Sequence, residues 1–486
     1  MSINLYTQTN KTIEILNADN TFSNATKHPD YWRLIGDVSF KHNNTVMHCD
    51  SAYHYSNKNK IKAFGQIEIK QGDSITLTGN RLTYFGKKNK ADISGNVVLI
   101  DKYMILKTKQ IIYNLKSNIA SYPSTGKIID NEKTINSKKG QYNSKNQNFI
   151  FRDSVKVVAQ NYDILTDNMH YNSNSETTYF FGPTYILSKD KTIYCENGWY
   201  NTKTGVSQFQ KNAYIATKSQ QLKGDSLYFN EVLGYGKVIK NVEIIDTAEN
   251  ITVFGHFAEY FEKEEMVEVN GKAYLQFLLE EDTLFMHAKK FVSQQKIGEK
   301  KILAYNKVKF FKLDLQGKCD SLSYNFSNNI VEMFINPIIW SNEFQITSDS
   351  IQFLIYQGNI RNMFLNSKPM IIAQEDSLDF NQIKGKNMIA YFSKNKIQKM
   401  DVLGNGQSIF LVTNEENNKK VALNFSECTD LTLNFRKNKL DIVNYNIEPK
   451  STTIPYQEVK EQDRYLKGFH WRKSEQPNKK EDIFIE

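Results

Sequence analysis

Apolar and polar positions alternate along most of this chain, and the alternation is punctuated at a fixed interval. A run such as Ile75-Thr-Leu-Thr-Gly-Asn-Arg-Leu-Thr-Tyr84 reaches a small residue and a polar one, then an aromatic four positions on. The polar anchors Asp50, Asn80, Lys109, Lys138, Asp167, Glu196 and Asp225 step by 30, 29, 29, 29, 29 and 29, and Tyr55, Tyr84, Tyr113, Tyr142, Tyr171, Tyr200 and Phe229 keep a step of 29. Period-two alternation predicts strands with one buried face, and a fixed period in this range predicts a stacked repeat.

Each repeat has two halves. One reads Gly-x-apolar-x-apolar, as in Gly36-Asp-Val-Ser-Phe40, Gly65-Gln-Ile-Glu-Ile69 and Gly95-Asn-Val-Val-Leu99; the other is the run that ends on the aromatic. A glycine inside an alternating strand marks a bulge or bend, so each half is a long strand kinked near its middle. Turns follow the aromatics, as in Ser56-Asn-Lys-Asn-Lys60, Ser144-Lys-Asn-Gln-Asn148 and Arg436-Lys-Asn-Lys439, and Asn tolerates the left-handed backbone of tight hairpins. The expected fold is all-β: an elongated antiparallel β-jellyroll or β-taco of about thirteen stacked kinked hairpins, a trough on the order of 100 Å long at ~4.8 Å per strand.

Four segments are expected: 1–30, an N-terminal strand and cap; 31–250, regular repeats; 251–447, irregular repeats continuous with them; and 448–486, a proline-bearing charged tail leaving the sheet. The 57 aromatic Phe and Tyr (30 and 27) against 8 Pro agree with a β-rich chain. The net charge of +9 is spread along 486 residues; it tolerates an anionic partner without identifying one. With no recognition motif and no basic face, nucleic-acid binding is disfavoured. Residues 1–24 lack the charged and apolar regions of a secretory signal.

Cys49, Cys195 and Cys319 precede an anchor directly and Cys428 stands two before Asp430. That position wants a small side chain, and repeats so far apart cannot pair thiols. Four free buried thiols are expected.

Asp50, Ser51 and His54 suggest a catalytic triad, but no nucleophile elbow or oxyanion motif accompanies them. His48, Asp50 and His54, read as sharing a strand face, are a metal set without a counterpart in other repeats. No metal, no cofactor and no enzymatic activity are expected. The aromatic ladder could stack sugars or bases, although in-phase aromatics in a repeat protein are more often core or edge packing. The turn lysines suit anionic head groups or protection of sheet borders.

The apolar positions after each kink carry the binding expectation: Val38, Phe40, Ile67, Ile69, Val97, Leu99, Ile128, Val155, Val157, Tyr185, Leu187, Ala213 and Ile215. In a closed sandwich they are core; in a trough whose sides do not meet they line a groove for alkyl chains. Pattern alone leaves both open.

Tyr31-Trp-Arg-Leu-Ile-Gly-Asp-Val-Ser-Phe-Lys-His42, Cys49-Asp-Ser-Ala52, Gly317-Lys-Cys-Asp-Ser-Leu-Ser-Tyr324, Asn381-Gln-Ile-Lys-Gly-Lys-Asn387, Gly404-Asn-Gly-Gln407 and Leu466-Lys-Gly-Phe-His-Trp471 resemble the long OstA-like proteins of the Bacteroidetes type. That group is related to the periplasmic bridge protein of lipopolysaccharide transport and to the soluble domain of its outer-membrane partner. The resemblance implies a non-enzymatic periplasmic protein whose groove carries lipid A acyl chains toward the outer membrane. It also implies joining to other lipopolysaccharide-transport components by edge-strand pairing, and head-to-tail self-association. The rival readings are a structural or adhesive β-rod and a parallel β-helix polysaccharide-active enzyme.

Overall fold

The computed structural model describes residues 12–485 except 25, 73–74, 103, 131, 280–281, 297, 342, 415 and 437–438. Residues 1–11 of the expected N-terminal cap and the tip of the turn at 436–439 thus lie outside the described residues. The chain divides into two compact units, Met1–Lys218 with Ser226–Leu233, and Ser219–Asp225 with Gly234–Glu486.

Both units are antiparallel β throughout their described pairings, for example Lys60–Gln71 with Ile75–Phe85 and Glu299–Lys312 with Leu315–Asn325. A parallel β-helix is therefore not this fold. The expected jellyroll of kinked hairpins is the architecture found.

The kink has a definite construction. In Lys60–Gln71, Phe64 pairs with Arg81 and Ile67 with Gly79, so Gly65 and Gln66 stand opposite Asn80 alone. Two residues against one is a β-bulge, which bends the strand. Both bulged residues are left-handed, at φ 74° and 36°. The same consecutive pair recurs at 36–37, 95–96, 153–154 and 211–212 in the first unit, and at 240–241, 271–272, 306–307, 335–336, 367–368 and 404–405 in the second.

The polar anchor is the other half of the device. Its amide donates to the carbonyl of the first bulged residue in the neighbouring strand: Lys138 N to Asp153 O (3.1 Å), His256 N to Gly271 O (3.0 Å) and Asp349 N to Ser367 O (3.0 Å). Where that residue is glycine, the anchor side chain lies over it; a Cβ on Gly65 would stand 2.1 Å from Asp50 Oδ2. The repeat period is thus the spacing of bulge and clamp.

The bulge also resets the alternation. Inward residues fall four apart on the bulged strand (Ala63, Ile67) and three apart on its partner (Gly79, Leu82), all four buried. This overturns the expected face-sharing of His48, Asp50 and His54. On Thr45–Tyr55, Asp50 is exposed and His48 half-buried, whereas His54 is buried on the inner side against Phe40. Among the described residues no group of three His, Cys, Asp or Glu could hold a metal ion. All four cysteines are free and buried, as expected.

The bend folds each strand pair into two wings whose inner faces pack on each other. In the first unit one wing carries the post-kink aliphatic residues and the other the periodic tyrosines. Turns on the tyrosine wing end as expected on left-handed asparagines: Asn59 (φ 46°) and Asn89 (φ 49°) close 56–58 and 86–88.

In the second unit the chain stays in the sheet through Lys450–Pro455, paired with Lys420–Cys428, so the exit expected at 448 falls after Pro455. From Tyr456 it returns as an irregular strap over the outer face. Buried Gln382 donates to Arg464 O (2.8 Å) and accepts from Leu466 N (2.8 Å). Buried Gln345 likewise brackets His470 O (2.7 Å) and Arg472 N (2.7 Å). Tyr465, Leu466, Phe469 and Trp471 pack on Met370, Ile372 and Phe380. Farther along, Glu475 pairs with Lys318, and the Phe484 ring lies 5.6 Å from Tyr274 and 5.0 Å from His287.

Candidate functional site

The inner face of the aliphatic wing is one continuous cross-strand row: Phe40, Met47, Ile69, Leu77, Leu99, Leu106, Ile128, Ile135, Val157, Ile164, Ile186, Ile193 and Ile215, each paired with the next. Directly paired side chains on one face are in contact, so the row is an unbroken apolar strip. Its cover changes along its length. Phe40 through Val157 are at most 3% exposed, Ile164 is 6% exposed, and Ile186, Ile193 and Ile215 are half-buried.

Opposite runs a second row, in which the periodic aromatics alternate with smaller partners: Ile61, Tyr84, Ala91, Tyr113, Ala120, Tyr142, Phe149, Tyr171, Thr178, Tyr200 and Ser207. The aromatic ladder is therefore an inner wall; Tyr84, Tyr113 and Tyr142 are at most 2% exposed.

Their hydroxyls do more than pack. Each reaches across the mouth of the trough to the rim of the aliphatic wing, 41 or 42 residues earlier in the chain. Tyr84 Oη is hydrogen-bonded to His42 Nδ1 (2.6 Å). Tyr113 Oη donates to Gln71 Oε1 (2.5 Å) and Tyr142 Oη to Asp101 Oδ2 (2.7 Å). Gln71 adds bonds to Leu115 O (3.2 Å) and Asn118 Oδ1 (3.1 Å). Burial pushes the Tyr113 phenol up to about 12 and Tyr84 higher still, so both stay protonated.

Then the series changes. At the next rim position Asp130 caps its own turn, accepting from Lys133 N (2.8 Å), while Lys133 Nζ lies 4.2 Å from the centroid of Tyr171. At the one after, the rim residue is Ala159, which has no acceptor, and Tyr200 turns instead to Glu231 on its own wing (3.4 Å). Tyr171 is thus held across the mouth by a cation on the rim, Lys133, and the link is lost at Tyr200, where the isoleucine row is half-exposed. A cavity of about 40 Å³ at the changeover is lined by Met104, Ile128, Asp130, Ile135, Phe149, Tyr171 and Ser173.

Of the residues singled out from sequence, Val38, Phe40, Ile67, Ile69, Val97, Leu99, Ile128, Val155, Val157 and Ala213 are buried on the inner face and Ile215 is half-buried there. Tyr185 and Leu187 are not brought to them. They point outward, 41% and 36% exposed, because the bulge after Phe181 puts Thr184 and Ile186 inside. Tyr185 stacks instead in an outer row, 4.9 Å from Tyr194, which lies 5.3 Å from Tyr214. The readable signal was the Gly-x-apolar-x-apolar rule itself: applied to Gly182 it selects Thr184 and Ile186. Sequence reading also missed the partner half of the row, Met47, Leu77, Leu106, Ile135, Ile164 and Ile193, which precede the anchors in the same alternation.

The second unit has its own cross-mouth link, ionic in place of phenolic: Lys300 Nζ lies 3.0 Å from both Asp246 Oδ2 and Glu249 Oε1. Desolvation opposes the charge on Lys300, but the hydrogen bonds to these carboxylates outweigh it and hold its pKa above the ordinary range. A larger hollow in this unit, about 350 Å³, lies on the outer face beside the Lys290–Glu268 ion pair, lined also by Met266, Val292, Leu303 and Tyr305.

None of the curated proteins compared matches the chain. Among solved structures it is similar to the crystal structure of LptH, the LptA homologous periplasmic component of the conserved lipopolysaccharide transport device from Pseudomonas aeruginosa. That match is 13% identical, covers 30% of this chain and 82% of that one, and has a TM-score of 0.17. Segments 10–167 and 163–225 match the family described as OstA-like protein. The matched residues 10–225 are the part that holds the clasped trough and its open end, and it is this part of the chain that is similar to the OstA-like family.

Proposed function

We propose that this protein is a non-enzymatic carrier that holds the acyl chains of a lipopolysaccharide-type amphiphile in its trough. In this reading it is part of a bridge across the periplasm to the outer membrane. The observation that carries this is the aliphatic row from Phe40 to Ile215. It is continuous, so a chain lying along it exchanges water for apolar contact at every strand, at roughly 25 cal/mol per Å² buried. The OstA-like match supports the class of cargo. A carrier needs no reacting groups, and the titratable residues of the trough serve its walls.

Partners of this reading are other lipopolysaccharide-transport components, joined by strand addition, and further copies of the chain head to tail. The first described sheet edge supports this: Glu14–Asn17 and Asn20–Asn24 are exposed along their length and, among the described residues, pair only with His28–His42, leaving Leu16 (52%) and Phe22 (56%) exposed. An unpaired strand with apolar side chains is a template for an added strand.

The test is a photo-crosslinking residue at Ile193 or at Lys88, with purified lipopolysaccharide added before illumination. Lipopolysaccharide adducts are expected at 193 and not at the turn. Adducts at neither position, or equally at both, sink the carrier and favour a structural rod.

A further inference from the structure

We infer that the strands of residues 162–216 form a lateral portal through which one acyl chain passes into the trough, and that the tyrosine clasps at Tyr84, Tyr113 and Tyr142 keep the trough shut before it. This rests on the carrier reading and adds where the cargo crosses the wall.

Two independent features change at the same place. The row loses its cover between Ile164 (6% exposed) and the half-buried Ile186, Ile193 and Ile215. The links across the mouth run out over the same strands: rim positions 42, 71 and 101 hold hydrogen-bond partners for a tyrosine, Lys133 holds Tyr171, and 159 holds alanine. A closed stretch is thus held both by apolar contact between the wings and by hydrogen bonds that are buried at Tyr84 and part-buried at Tyr113 and Tyr142, costly to break without replacement. Toward Ile215 the outer part of the trough has lost both the phenolic link and full cover of the row, although Phe180, Cys195, Phe209 and Ala213 stay buried.

The occupant is an acyl chain with an anionic head. The inner surface there is aliphatic, with no charged side chain in the isoleucine row. The rim turns of the aliphatic wing along these strands carry Lys189, Lys191 and Lys218 against Asp190, and the turn before them carries Lys133 with Asp130 and Glu132. That excess of positive charge at the lip, beside an apolar interior, fits a negatively charged head outside and its chain inside.

The test separates the opening from the cargo. Cysteine is placed at Ile193 or at Leu99, and N-ethylmaleimide labelling is measured against the unmodified protein, whose four thiols are buried. Labelling at 193 is expected to be at least ten-fold faster than at 99. Replacing Tyr84, Tyr113 and Tyr142 together by Phe is expected to raise the rate at 99 at least three-fold and leave 193 unchanged, with circular dichroism confirming retained strand. Equal rates at the two positions, or no rise at 99 in the folded triple variant, overturn the portal. Lipid A added first is expected to slow labelling at 193. Absence of that protection with the ten-fold ratio intact refutes the carrier reading while the portal stands.

Discussion

The hydroxyl of Tyr113 donates to Oε1 of Gln71 at 2.5 Å, across the trough and 42 residues back along the chain. It joins the end of one wing to the wall of the other, so its contribution is to closure. Tyr113→Phe keeps the ring packing and deletes one part-buried hydrogen bond; a loss of about 1 kcal/mol in denaturant unfolding is expected. The alkaline limb of stability follows from the same burial. Tyr113, Tyr122 and Tyr200 are each pushed up to about 12 from 10, chiefly by desolvation. A raised folded pKa means stability held below the unfolded value and lost as pH climbs through the folded one. Melting temperature should be flat up to about pH 9, where the equally buried thiols of Cys49, Cys195 and Cys319 (also near 12) begin to oppose folding, and fall steeply between pH 10 and 12.

The changing cover of the aliphatic row predicts a gradient of truncation costs. Leu77→Ala, at a site with 0% exposure, should cost about 3 kcal/mol through lost transfer energy and a cavity, and Ile215→Ala clearly less. Val97→Asp places a carboxylate in a closed core and should prevent folding, so it is unfit as a probe of lipid capture. Equal costs at 77 and 215, measured by urea titration, would contradict the opening of the trough.

Gly65 and Asp50 should behave as a coupled pair. Gly65→Ala meets two penalties: a Cβ at φ 74°, about 1 kcal/mol or more, and contact of that Cβ with Asp50. Asp50→Ala takes away the carboxylate but keeps a Cβ at 3.0 Å, so it relieves most of the second only, and the double variant should recover at least about 0.5 kcal/mol relative to the sum of the singles. Strict additivity in thermal melts would show that the anchor does not clamp the bulge.

The strap of the second unit has a charge lock and an acid limit. Buried Asp379 receives Lys420 (2.6 Å), Arg464 (2.5 Å) and the Tyr456 hydroxyl (2.7 Å). Asp379→Asn leaves Arg464 without its carboxylate, while Lys420 keeps Asp376, and should cost about 3 kcal/mol. It should also open 456–485 to trypsin at Lys467, Arg472 and Lys473 before the sheet is cut. Glu475 is held down to about 2 from 4.5, first by its hydrogen bond to Arg472 and also by Lys318. A depressed folded pKa means stability present above the unfolded value and lost as pH falls through the folded one. The fluorescence of Trp340 and Trp471 should therefore report release between about pH 4.5 and 2.

Strand type, kink, hairpin turns, antiparallel repeat and buried free thiols were all legible in the sequence, because each rests on local chemistry. Alternation sets the buried face, a left-handed pair makes the bulge, and asparagine ends the turn. The inward positions nearest each kink were legible for the same reason. What pattern could not settle was phase across the bulge, where two residues oppose one. Tyr185 and Leu187 were expected inside and lie outside, and His48, Asp50 and His54 do not share a face.

The closure of the trough was decided by tertiary structure alone. Val97, Leu99 and Ile193 read alike along the chain, yet the first two sit in a sealed core and the third at an open mouth. The difference is whether a tyrosine on one wing meets an acceptor on the other, some forty residues away. The tyrosine beat and the residues at 42, 71, 101 and 159 were all visible in the letters. Only the fold sets them face to face, because a bent sheet brings rim and wall together at a separation that no local pattern encodes.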